Sequence, residues 1–177
     1  MTTQVAFEFK WLNPLGISVA LFLLSSAINI LTPIAGSFLL HRYGPFSPQT
    51  SQYFVFSAKA EEAWLGKPPA ELVKEMPSLR QLYLVLIDFT EAFMLGFGVL
   101  LVGLTWFGLR TGQEWALWTI LAGHVAMLAI YWGLALIPFM RQYGFSYMEI
   151  LHPFAAIPTV LVPIATVLAW VGLRTGG

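Results

Sequence analysis

Asp88 and Glu91 stand three residues apart inside an apolar run, LYLVLIDFTEAFMLGFGVLLVGLTWFGL, that extends from Leu82 to Leu109. That spacing puts both carboxylates on one face of a helix. A charged side chain at the centre of a bilayer costs at least ~2.5–3.5 kcal/mol, so such groups face a protein interior and take partners there. His152, three residues after Glu149, opens a second apolar run with the same spacing. At ~1.5 Å of rise per residue, Asp88 lies about 10 Å and Glu91 about 15 Å inside one membrane face, with Glu149 about 5 Å and His152 about 9 Å inside the same face. A buried carboxylate alone holds its proton, whereas an imidazolium beside it keeps it ionised. The combination suits proton shuttling and general acid–base chemistry, with Glu91 as the reacting group and Asp88 and His152 tuning it. Asn29, Tyr131 and Glu149 are the expected ligand-binding groups. Asn29 belongs to a polar stripe, Ser18, Ser25, Asn29, Thr32 and Gly36, and Tyr131 falls near the depth of Glu91.

The same residue types admit other chemistry. Asp88, Glu91 and His152 would be the ligands of a metal, if one is bound, as carboxylates and imidazoles are in helix-bundle di-metal sites. Those sites use two Glu-x-x-His motifs, and this chain has one, Glu149–His152. Haem would need two histidines at one depth. His124 lies some 15 Å from His152 along the bundle, and His41 sits at a helix end. His124 shares its face with Ile120 and Leu128, which favours a packing role. Asp88 also has a structural alternative, an ion pair with Arg80 or Arg141 reaching in from the interface. The cofactor stays unnamed at this point.

Four elements must hold these groups. Of 177 residues, 58% are hydrophobic and only 10% charged, with mean hydropathy +0.73, against about 25% charged in soluble domains. The apolar residues fall in four blocks, 15–40, 82–109, 115–140 and 147–173, each long enough to cross a bilayer. The expected fold is therefore an all-α integral membrane protein, one four-helix bundle over 1–177, with both termini on the same side. The first block is too long for a signal-peptide core and lacks a small-residue cleavage site. Nine basic residues balance nine acidic ones, so there is no footprint for nucleic acid. Without cysteine there are no disulfides or thiolate chemistry. Lysines and arginines near the helix ends balance across the two faces, so the positive-inside rule assigns neither face to the cytoplasm.

The loop 42–80 reads as partly helical. Residues 51–66 mix aromatic and charged side chains, Pro68-Pro69 breaks them, and a second short turn covers 70–76. Ser78 and Gln81 fit a capping box at the start of the second membrane helix. Ala92, Gly96 and Gly103 make a small-residue face for close helix packing. Pro153, Pro158 and Pro163 would kink the last helix beside His152. Leu104-Thr-Trp-Phe-Gly-Leu-Arg-Thr-Gly112 echoes Leu168-Ala-Trp-Val-Gly-Leu-Arg-Thr-Gly176, the pattern of two parallel repeated hairpins. Three functions remain in view. The chain binds or transforms a lipid-like or quinone-like small molecule; or it couples transport to a proton or cation; or it is a structural subunit, within a homo-oligomer or larger membrane complex.

Overall fold

The structure is a computed structural model and describes residues 9–47, 50, 58–146, 149 and 153–175, without the side chains of 58 and 153–156. Among the described residues every regular element is a helix. Helix α1 is Pro14–Tyr43, and two short helices follow, α2 (Ala58–Leu65) and α3 (Pro69–Glu75). Helix α4, Pro77–Gly103, runs on through a π-helical turn, Leu104–Gly108, and a 3₁₀ turn, Leu109–Thr111. Helix α5, Glu114–Ile130, continues through a second π turn, Tyr131–Leu136, into α6, Ile137–Tyr143. The last helix, α7, is Pro153–Thr175. Four stretches are long and apolar enough to cross a membrane: Pro14–Tyr43, Pro77–Thr111, Glu114–Tyr143 and Ile157–Thr175.

Local chemistry sets the ends. Asn13 Oδ1 accepts from the Gly16 N–H at 2.6 Å, and Pro14 supplies a helical φ at the first position of α1. Gly44, at φ 85°, stops α1 with its N–H donated to the Leu40 carbonyl. Helix α4 begins a residue before the expected capping box. Pro77 opens it, Met76 is the N-cap, and no side chain caps it. The proline's fixed φ suits the first helical position, where its missing N–H would have no partner within the helix. Pro68-Pro69 separates α2 from α3 as expected, and 51–57 fall outside the described residues.

Helix α1 is the centre of the bundle, packed along α4 on one side and α7 on the other. Leu15, Val19 and Phe22 of α1 meet Leu101, Leu117, Ile120 and Ala165 in a core at the end where α1 begins. The Ser18 hydroxyl crosses to the Ala165 carbonyl of α7 at 2.6 Å. Helix α5 keeps closer to the π turn that ends α4 than to α7. A second, smaller cluster joins Ala60 of α2 to Leu136, with Tyr131, Trp132 and Phe139 around it. Trp64 stands edge-on to Phe139, so α2 is docked on the α5–α6 rod.

The contact face of α4 differs from the expected one. Ala92 and Gly96 are exposed, and a Cβ at Gly96 or Gly103 would meet no neighbour within 4 Å. The close approach is at Gly98, where a Cβ would lie 3.1 Å from Asn29 Cβ and 2.8 Å from Ile30 Cγ1. Glu91, Gly98 and Thr105 are all buried and recur at heptad spacing, the period of two helices crossing at a shallow angle.

Candidate functional site

Helix α1 presents Ser37 and His41 one turn apart, and α4 presents Asp88 and Glu91 on the facing side. Asp88 binds His41: Nε2 lies 3.0 Å from Oδ2 and 3.2 Å from Oδ1. A carboxylate only accepts, so Nε2 carries the proton in this contact. The Ser37 hydroxyl lies between the two acids, in a short contact with Glu91 Oε2 and a long one, 3.4 Å, with Asp88 Oδ1. Exposure falls along the chain of contacts, from 59% for the His41 side chain and 39% for Asp88 to 8% for Glu91. The result is a continuous polar path from the outside of the bundle to one buried acid.

Stoichiometry constrains what the path can hold. Ser37 has one hydroxyl proton and can donate it to one carboxylate at a time. When it donates to Glu91, its contact with Asp88 is a hydrogen bond only if Asp88 carries a proton, and the reverse holds equally.

The remaining candidates lie elsewhere. Asn29 sits at the helix crossing, two turns deeper than Ser37, where its amide donates to the Ser25 carbonyl at 2.8 Å. Pro33 has no N–H to offer the Asn29 carbonyl, so this crossing concentrates the backbone polarity of α1. Tyr131 belongs to the cluster under α2. Glu149 accepts from the Ser146 N–H at 2.8 Å and its hydroxyl at 2.7 Å, with Lys59 Nζ at 3.8 Å. These bonds hold the Glu149 carboxyl below the usual carboxylate range, the backbone N–H contributing most. His152, as catalytic or metal-binding residue, lies outside the described residues. Among those described, no group of three or more His, Asp or Glu is placed to hold a metal ion. His124 is buried, its Nδ1 donating to the Ile120 carbonyl at 2.9 Å and its ring edge-on to Phe97. Asp88 takes His41 rather than Arg80 or Arg141 as its partner.

Ser37 was absent from the polar stripe read in the sequence, and His41 was placed there as an interfacial residue. A signal for both exists in a step of four: Asn29, Pro33, Ser37 and His41 lie along one ridge of α1. The stripe drawn through Thr32 and Gly36 runs one residue aside. Two surface hollows are present, one of about 290 Å³ walled by Tyr43, Gly44, Val73 and Arg80, the other of about 360 Å³ along Pro163–Leu168. The acid path opens into neither. No known family model matches this chain, and no curated protein or solved structure matches it either.

Proposed function

We propose that this chain is a multi-pass membrane protein, both termini on one side, that binds a lipid-like or quinone-like molecule against the α1–α4 face. Its polar groups exchange a proton with that molecule. One observation carries the reading: His41, Asp88, Ser37 and Glu91 form an unbroken chain of hydrogen-bonding groups from an exposed imidazole to a buried carboxyl. A proton taken up at His41 Nδ1 releases the one on Nε2 to Asp88. Asp88 passes a proton to Ser37 Oγ as the hydroxyl gives its own to Glu91. Every hop crosses a contact already made, and the low dielectric of the site strengthens each bond. The Asp88 side chain is partly exposed, which leaves it open to a ligand dissolved in the bilayer.

Transport through the molecule is the weaker reading. Beyond the Asn29–Gly98 crossing, the bundle is packed with Leu15, Val19, Phe22, Leu101, Leu117 and Ile120, and the buried polar groups there are taken locally, Ser18 by the Ala165 carbonyl and His124 by the Ile120 carbonyl. The duplicated hairpin, an oligomer and a larger complex all remain compatible with this function, and none of them is needed for it.

The test is infrared difference spectroscopy on the protein in lipid discs, stepped in pH with and without a short-chain quinone. The carboxylic-acid carbonyl band of wild type should change on quinone addition. Glu91→Gln should remove that change, and Ser37→Ala should slow it by about 10²-fold, the low end of what a positioned proton donor contributes. Identical spectra in wild type and Glu91→Gln would overturn the assignment.

A further inference from the structure

The sequence Trp-x-Gly-Leu-Arg-Thr occurs at Trp106–Thr111, across the π and 3₁₀ turns that end α4, and again at Trp170–Thr175, in the last turns of α7, and the two copies make matching side-chain contacts on these different backbones. The Arg110 guanidinium lies 4.2 Å from the centre of the Trp106 ring, and that of Arg174 lies 4.6 Å from the Trp170 ring. The Thr111 hydroxyl lies within reach of the Phe107 and Gly108 carbonyls, and that of Thr175 within reach of the Val171 and Gly172 carbonyls, each donating its one proton to the preceding turn. Each glycine lets its helix close on the start of another, Gly108 on Ala116 and Gly172 on Leu15. A motif that recurs by accident of composition would not reproduce stacking, capping and close approach together.

Both copies lie at the end of the bundle where α1 begins. There the Arg110 guanidinium also lies 5.5 Å from the centre of the Phe9 ring, and Trp11 stands 6.5 Å from Trp106. Neither guanidinium meets a carboxylate among the described residues, and Arg110 Nε is buried with no hydrogen-bond partner. Glu114, the nearby acid in sequence, accepts from the Trp118 indole at 3.2 Å. Of seven tryptophans in the chain, Trp11, Trp106, Trp115, Trp118 and Trp170 gather at this end, as tryptophans do at the headgroup level of a bilayer. A guanidinium stacked on a ring can still offer its terminal N–H groups sideways, and a pair of them matches the oxygens of a phosphate.

We propose that this end of the bundle is a binding surface for anionic phospholipids, Arg110 and Arg174 each taking one headgroup phosphate. Among the described residues neither cation meets a carboxylate, each lies over a tryptophan ring, and both sit in a tryptophan belt. A phosphate borne on a lipid, level with that belt, is the occupant this chemistry fits. The proposal is independent of the acid path on α1 and α4, since the two sets of residues share no member.

The test is native mass spectrometry of the full chain released from discs holding equal phosphatidylglycerol and phosphatidylcholine. Wild type should retain phosphatidylglycerol about fivefold over phosphatidylcholine for each arginine engaged. Arg110→Gln and Arg174→Gln should each lower the number retained by one, and the double variant should show no preference. If the double variant does not fold, the Arg→Lys pair, which keeps the charge and loses the fork, should retain an intermediate preference. A double variant with undiminished preference overturns the proposal. Equal loss in Lys74→Gln, an exposed cation on α3, or displacement of the lipid by millimolar inorganic phosphate, overturns it too.

Discussion

Two neighbouring glycines on α4 should respond to alanine with opposite sign. A Cβ at Gly98 would stand 2.8 Å from Ile30 Cγ1, 3.1 Å from Asn29 Cβ and 3.2 Å from the Asn29 carbonyl carbon. Carbon atoms rest at about 3.5–4.0 Å, so the two helices must separate by several tenths of an ångström. Ile30 gives little relief, because a β-branched side chain in a helix has one favoured rotamer. The Asn29 backbone gives none. Overpacking of this kind costs about 1–3 kcal/mol, set against a gain near 1 kcal/mol from replacing glycine within a helix. At Gly96 a Cβ meets nothing within 4 Å, so only the gain remains. The propensity term is common to both variants, and the difference between them isolates the packing cost at about 1–3 kcal/mol. Reversible unfolding in mixed micelles, titrated with a denaturing detergent and followed by far-UV circular dichroism, measures it. Gly98→Ala should unfold at lower detergent than Gly96→Ala. Equal midpoints, or the reverse order, would refute the crossing at Gly98 and restore the Ala92–Gly96 face.

Two further outcomes follow from the same physics. Burial pushes the Glu61 carboxyl on α2 from 4.5 up to about 7, so the fold favours its protonated form. Its contribution is complete below 4.5 and is lost as pH rises through 7, an effect of roughly 1–3 kcal/mol on the docking of α2. Trypsin cleavage at Lys59 and Lys67, corrected for protease activity, should speed up between pH 6 and 8. The rise should vanish in Glu61→Gln, and its persistence there would sink the assignment to Glu61. The Thr105 hydroxyl is fully buried and has no hydrogen-bond partner among the described residues. Thr105→Val, nearly equal in shape, should therefore raise stability by about 1 kcal/mol in the same detergent titration. A loss of stability would show that the hydroxyl has a partner after all.

How much of this was legible in the sequence follows from the range of each interaction. The four long helices were legible because bilayer-length apolar runs are counted along the chain; the ends of the first three moved by five residues or fewer, and the expected start of the fourth at 147 adjoins residues outside those described. The break at Pro68-Pro69 was legible for the same reason, being local chemistry. Partner choice was not. Depth along an axis brings Tyr131 near Glu91, but α5 leans toward α2 at its far end and takes Tyr131 into the Ala60–Leu136 cluster instead. Asp88 and Glu91 emerged because charge in an apolar run is costly anywhere. Ser37 was hidden because a serine in such a run is ordinary until a facing helix supplies carboxylates. The small-residue pattern misled for a related reason: Ala92 and Gly96 have the right spacing, but which face of α4 turns inward depends on α1.

The bond from Ser18 to Ala165 joins residues 147 positions apart, and it has a consequence for how the protein is made. Helix α1 leaves the ribosome before α4, α5 and α7, yet one of its two long partners is the last of these helices to be made. At 5–20 residues per second, about 7–30 s separate the two ends of that contact. Over that interval the α7-facing side of α1, including the Ser18 hydroxyl, has only α4 and α5 nearby to shield it. A chain arrested before Ala165 therefore carries a first helix whose packing is half made, and crosslinks from Ser18 to insertion machinery or lipid should persist until α7 emerges.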